Sequence, residues 1–163
     1  MRFKVALLVA IGAVAVMAPL TANADRQGKR HHHQHPRGHH PSSVRAVVRE
    51  HIDAVEDCDA ARLVDGYSRD AKLFFPDGVV VQGRQALTEL YEGFVKSHEE
   101  GGLCGITATP VDSFTKGGTA FVKFRVEAPF LAEEYFSTDG YVIRGGKILS
   151  EVSTFDASKL KFK

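Results

Sequence analysis

The part of this chain that folds has no glycine-rich phosphate cradle, no internal repeat and no basic stripe interleaved with aromatic residues. Without a backbone loop to hold a pyrophosphate, no nucleotide cofactor is expected, and nothing else in the sequence calls for one. Without clustered Lys and Arg, a nucleic-acid partner is excluded too. From Ser42 onward there are 15 basic and 19 acidic residues, a net of −4. Cysteine is scarce: Cys58 and Cys104 are the two in the chain, so at most one internal bridge can form.

One long apolar run is present, at the start. Arg2 and Lys4 form a basic n-region, Val5–Leu20 an apolar stretch, and Ala22-Asn23-Ala24 a small-x-small cleavage site before Asp25. The alternative is a membrane anchor. The run is short for a spanning helix, contains Pro19 and ends in a processing signal, so residues 1–24 read as a signal peptide. The protein is therefore expected in the periplasm or secreted. No cysteine sits at the cleavage point, so a lipid anchor of the bacterial type is not indicated.

Residues 25–41, DRQGKRHHHQHPRGHHP, hold six of the eight histidines (His31, His32, His33, His35, His39 and His40) and no large apolar residue. Such a segment cannot bury a core and is expected to be a disordered arm. Two readings stand: weak capture of a divalent metal by imidazoles, or a solvated spacer that turns cationic below about pH 6.5.

Residues 42–163 are long enough for one domain with a hydrophobic core. Val44, Val48, Ile52 and Val55 predict an amphipathic first helix capped by Ser42 or Ser43, with Val47 and His51 on its apolar side. A short second helix after Asp59 is expected to carry Leu63, Val64 and Tyr67 inward. Leu73–Phe75 then reads as a strand, Pro76-Asp77-Gly78 as a turn and Val79–Val81 as the return strand. From Arg84 to Glu99 the period becomes helical, with Leu87, Leu90, Tyr91 and Phe94 on one face. The remainder, from Ile106 to Phe155, alternates as antiparallel strands turning at Gly117-Gly118 and Gly145-Gly146. Helices first and long hairpins after them argue an α+β fold with helices on one face of a curved sheet.

This order, together with "DAKLFFPDGVVVQGRQAL" and the ending "GGKILSEVSTFD", resembles the SnoaL-like branch of the nuclear transport factor 2-like superfamily. Its best understood members are ketosteroid isomerases and polyketide cyclases. The resemblance implies a cystatin-like cone, in which a curved antiparallel sheet wraps around the N-terminal helices and leaves an apolar pocket at the open end. It implies a small apolar molecule as partner and a homodimer through the outer sheet face. By position, His51 stands where a steroid isomerase has its carbonyl-polarising tyrosine, and Asp139 where it has a neutral aspartic acid. Phe75 stands where that enzyme has its aspartate base, so the proton-abstracting group is missing. Polyketide cyclases keep acidic or histidine groups on the last strand, where this chain has Glu151. The implied catalytic set is His51, Asp139 and Glu151, with Phe75, Tyr91, Phe94, Tyr141 and Phe155 lining the pocket. The same fold also serves as a non-catalytic binding or dimerisation module.

Three points stay open in the sequence. His51 is either a satisfied core residue or a hydrogen-bonding catalyst. A three-residue loop at Gly145-Gly146 would set Asp139 against Glu151 with both inside the cone, whereas a two-residue loop would turn Glu151 outward. Cys58 and Cys104 are either bridged, as an exporting route favours, or two small buried hydrophobes.

Overall fold

The computed structural model describes Ser43–Lys163; the signal peptide and the His-rich arm read from the sequence lie outside the described residues. Helix α1, Val44–Glu56, begins at Ser43, whose hydroxyl accepts from the Ala46 N–H at 3.2 Å. Its buried positions are Val47, Val48, His51 and Ala54, while Val44, Ile52 and Val55 are only half-buried. The buried arc is thus rotated from the expected stripe toward His51. Helix α2, Ala60–Gly66, is capped by Asp59, whose carboxylate accepts from the Arg62 N–H at 3.0 Å.

Strand β1 follows without a loop and spans Tyr67–Phe74. Tyr67, expected at the end of α2, is instead the first residue of this strand, with an extended backbone. A 3-10 turn at Pro76–Gly78 leads into β2, Val80–Gln82, which pairs antiparallel with β1. Helix α3, Gly83–Phe94, buries Leu87 and Tyr91. It stops five residues before the expected Glu99. A separate 3-10 turn, His98–Glu100, then starts at a Ser97–Glu100 capping box and ends at Gly101.

Strands β3 (Thr107–Lys116), β4 (Thr119–Glu127), β5 (Tyr135–Arg144) and β6 (Lys147–Ser153) form the expected meander. The sheet order is β2-β1-β6-β5-β4-β3. All pairs are antiparallel except β1 with β6, which run parallel. On β4 the inner residues Ala120, Val122, Phe124 and Val126 are all buried, and Phe121 and Lys123 point outward. The result is an α+β fold, helices against the concave face of a curved, open sheet.

The β5–β6 hairpin decides which side chains enter the cone. Arg144 pairs with Lys147, so the connection is the two-residue Gly145-Gly146 turn, with both glycines at positive φ as a tight hairpin turn requires. By itself that turn would set Asp139 opposite Val152. A bulge intervenes: Ile143 pairs with Ile148 but Val142 with Ser150, leaving Leu149 as the extra residue. Ile148 and Glu151 are three apart and would otherwise take opposite faces; the bulge puts both inside. Asp139 lies opposite Ser153, and Tyr141 opposite Glu151. Neither register weighed from the sequence is the one adopted.

Cys58 and Cys104 form a disulfide with Cα atoms 5.4 Å apart, across a sequence separation of 46. Cys58 follows the end of α1 at φ 55°, the one non-glycine residue in the left-handed region among the described residues. That conformation usually goes to glycine at a helix C-terminus, and here the bridge helps to hold it.

Candidate functional site

The inner face of β5 and β6 carries both sequence-predicted acids. Glu151 sits on β6 between Tyr141 of β5 and Leu73 of β1, and Asp139 lies one inward position further along with Ser153. The first residue of β1 completes the arrangement. The Tyr67 hydroxyl donates a short hydrogen bond to Glu151 Oε2 and lies 2.6 Å from the Tyr91 hydroxyl. In that second bond either hydroxyl can be the donor.

Asp139 is held by three hydroxyls. Ser153 donates to Oδ1 at 2.6 Å, Ser137 to the same oxygen at 3.2 Å, and Tyr141 to Oδ2 at 3.3 Å. Burial raises its pKa above the ordinary carboxylate value, and the hydroxyl donors pull the other way. Glu151 is raised much further. Burial is the main cause, the Asp139 charge adds to it, and the Tyr67 hydrogen bond only partly opposes. The two acids therefore belong to one dry network that resists carrying two charges. The hydroxyls of Tyr67, Tyr91 and Tyr141 are likewise pushed well up, chiefly by burial, and stay protonated donors.

His51 reaches this network through rings. Its imidazole meets Tyr67, Tyr91 and Tyr141 edge-on, with centroids 5.7, 6.3 and 5.8 Å away. Burial lowers its pKa to about 4, so the ring is neutral at pH 7. Nδ1 is buried without a hydrogen-bond partner. No hydrogen bond joins His51 to Asp139 or Glu151 among the described residues; Tyr141 stands between, with its ring on His51 and its hydroxyl on Asp139.

The predicted pocket residues divide. Tyr91 and Tyr141 belong to the buried cluster. Phe94 and Phe155 are half-buried and continue it outward, with Tyr91–Phe94 at 6.3 Å, Phe94–Phe155 at 6.4 Å and Phe155–Tyr135 at 5.6 Å. The Phe155 N–H donates to Ser153 Oγ, so this aromatic edge adjoins the Asp139 end. Phe75 is half-buried where β1 gives way to the 3-10 turn, outside the ring cluster. Tyr67 was not predicted. It lies three and four residues beyond Val64 and Leu63, so helical spacing claims it for α2; the signal against that is Gly66 just before it. Among the described residues no group of His, Cys, Asp and Glu is arranged to hold a metal ion.

The sequence profile of the SnoaL-like domain matches residues 48–151. Among solved structures, the epoxide hydrolase/cyclase-like enzyme SalBIII, with a role in pyran ring formation in the polyether salinomycin, aligns with a TM-score of 0.59 at 18% identity. That alignment covers 74% of this chain and 95% of SalBIII. TerC, co-crystallised with polyporic acid, aligns at 0.58 and 17%, covering 71% of this chain and 92% of its own. A cystatin-fold protein from Novosphingobium aromaticivorans aligns at 0.59 and 16%, covering 71% and 100%. At these identities the likeness is one of fold. A comparison with curated proteins finds no match.

Proposed function

This chain belongs to the SnoaL-like domain family, and we propose that it binds a small apolar carbonyl or phenolic compound inside the cone and moves protons on it. The observation that carries this reading is the pair Asp139 and Glu151. They face the same interior, each bonded to its own set of hydroxyls, and are both pushed toward their neutral forms, the charge of Asp139 acting on Glu151. A neutral carboxyl can donate to a ligand oxygen, which an ionised one cannot. The other, once ionised, can take a proton, so the pair can serve as acid and base without the aspartate that Phe75 replaces. His51, neutral and with Nδ1 free, adds a donor or acceptor from the helix side. Phe94 and Phe155 offer the apolar approach beside Asp139. The role of SalBIII in pyran ring formation and the co-crystallisation of TerC with polyporic acid support the choice of ligand class.

Calorimetry with 1-naphthol on the wild type, Asp139→Asn and Asp139→Leu tests the site. Asparagine keeps a donor, whereas leucine leaves the ligand oxygen unpaired, so the leucine variant should bind more weakly by about 1–3 kcal/mol. Equal affinities for the two variants would remove Asp139 from the site.

A second reading, a dimerisation module, has its own observation. Phe114 pairs with Phe121, Phe121 with Gly140, Gly140 with Val152, Val152 with Phe74, and Phe74 with Val80. This outward row crosses all six strands, and Phe114, Phe121, Val152 and Val80 are exposed. An apolar stripe of that extent on a sheet face suits a second copy of the chain. Export to the periplasm or beyond remains part of the proposal. It rests on the Arg2–Ala24 succession and is supported by the Cys58–Cys104 bridge, which oxidising compartments preserve.

A further inference from the structure

A concavity is lined by His51 and by none of the clustered tyrosines. It is an open groove of about 600 Å³ between α1, the end of α2 and the Gly145-Gly146 turn. Its floor includes Ala46, Val47 and His51. Among its charged residues, Glu50 pairs with Arg62 at 2.9 Å, and Asp65 with Arg84 at 3.0 Å. Arg62 also pairs with Asp57, so one guanidinium is shared by two carboxylates. Lys147 is anchored by a hydrogen bond from Nζ to the Asp65 carbonyl oxygen, which leaves its charge uncompensated. Arg45 and Arg49, one helical turn apart, have no ion-pair partner among the described residues. Three cations without an ion-pair partner thus face Asp53 and a partly compensated Glu50. The first turn of α1 carries no acidic residue to cancel the positive end of the helix.

From the cationic rim, the apolar floor and the buried His51 ring that lines it, we infer that the groove binds a small organic anion, a carboxylate on an apolar body. The carboxylate takes Arg45 and Arg49, which donate in forks that fit it, while the apolar body lies on Ala46 and Val47. His51 is the one residue shared by the groove and the acid network. This site is separate from the one assigned to Asp139 and stands whether or not that assignment holds.

The test uses the full chain with benzoate, benzamide and inorganic phosphate as probes, followed by calorimetry and by NMR of the His51 ring. Benzoate is expected to bind at least tenfold more tightly than either other probe and to shift the His51 resonances. The double variant Arg45→Gln/Arg49→Gln is expected to lose at least tenfold in benzoate affinity at an unchanged unfolding midpoint, and Asp139→Leu to lose none. Equal binding of benzamide would overturn the anion requirement, and equal binding of phosphate would overturn the organic one. Benzoate affinity unmoved by the arginine substitutions, as binding at the histidine tract would give, overturns the site itself. If Asp139→Leu weakens benzoate as much as the arginine variant does, the anion sits in the cone and the groove proposal falls.

Discussion

His51→Phe isolates the energetic consequence of burying an imidazole without a partner. The ordinary histidine pKa of 6.5 falls to about 4 in the folded protein because the ring is desolvated. At 1.36 kcal/mol per pH unit, that gap corresponds to about 3 kcal/mol. The sign follows from which state takes the proton. Above pH 6.5 both folded and unfolded chains carry a neutral ring, and the contribution is full. Between pH 6.5 and about 4 the unfolded chain accepts a proton that the folded protein refuses, so stability is lost as pH falls. Asp139 and Glu151 act with the opposite sign. Their pKa values are raised on folding, so their contribution is present at low pH and lost as pH rises past the ordinary carboxylate range. Both acids, His98 and the histidines of the arm are common to the variant and cancel in the difference. Urea unfolding of both proteins at pH 4, 5, 6 and 7 should show the wild type gaining about 3 kcal/mol on the variant over that range. Parallel curves would mean that the ring is hydrated and titrates normally, and the argument from burial would be refuted.

Tyr67→Phe should cost about 1–3 kcal/mol, since it strips Glu151 and Tyr91 of their shared partner in a buried site; unchanged stability in denaturant would show that the three do not form one network. Replacing both Cys58 and Cys104 by Ser should cost about 4 kcal/mol in the chain-entropy estimate for the sequence separation of 46, and an oxidised protein that yields two free thiols on alkylation would dispose of the bridge. Phe121→Lys should convert a dimer to a monomer in light scattering, and a wild type that is already monomeric at tens of micromolar would end that reading. N-terminal sequencing of protein from the envelope or medium should begin at Asp25, and recovery of intact Met1 would refute processing there.

Most of what the sequence made legible was local. Pro76-Asp77-Gly78 between the apolar run Leu73–Phe75 and the β-branched Val79–Val81 announced the β1–β2 hairpin, and the spacing of Leu87 and Tyr91 announced the buried side of α3. His51 could be placed on the inner side of α1 for the same reason. What escaped was either a single-residue matter or long-range. Tyr67 continues the spacing of Leu63 and Val64, so periodicity could not tell a last helical residue from a first strand residue. The extra residue at Leu149 has no signature of its own, since Ile148 and Leu149 are both apolar. Only the joint demand to bury Ile148 and Glu151 reveals it. The parallel β1–β6 pairing joins segments about 80 positions apart, which no pattern within either strand records. Tyr67 thus came to the acid site from outside every local argument.

The same pairing governs when the site comes into being. Tyr67 and Glu151 are separated by 84 positions and meet only when β6 settles between β1 and β5. Closing so long a loop costs entropy before any contact repays it, so this docking belongs among the late events of folding. A chain emerging from its N-terminus can assemble the helices and the first hairpin early, but β6 follows all of them and every other strand in the sequence. Until then β1 presents an open edge on the side where β6 belongs, and the acids are not yet gathered. Completion of the sheet and the pairing of the two acids are a single event, and a chain without β6 holds Asp139 but neither Glu151 nor Ser153.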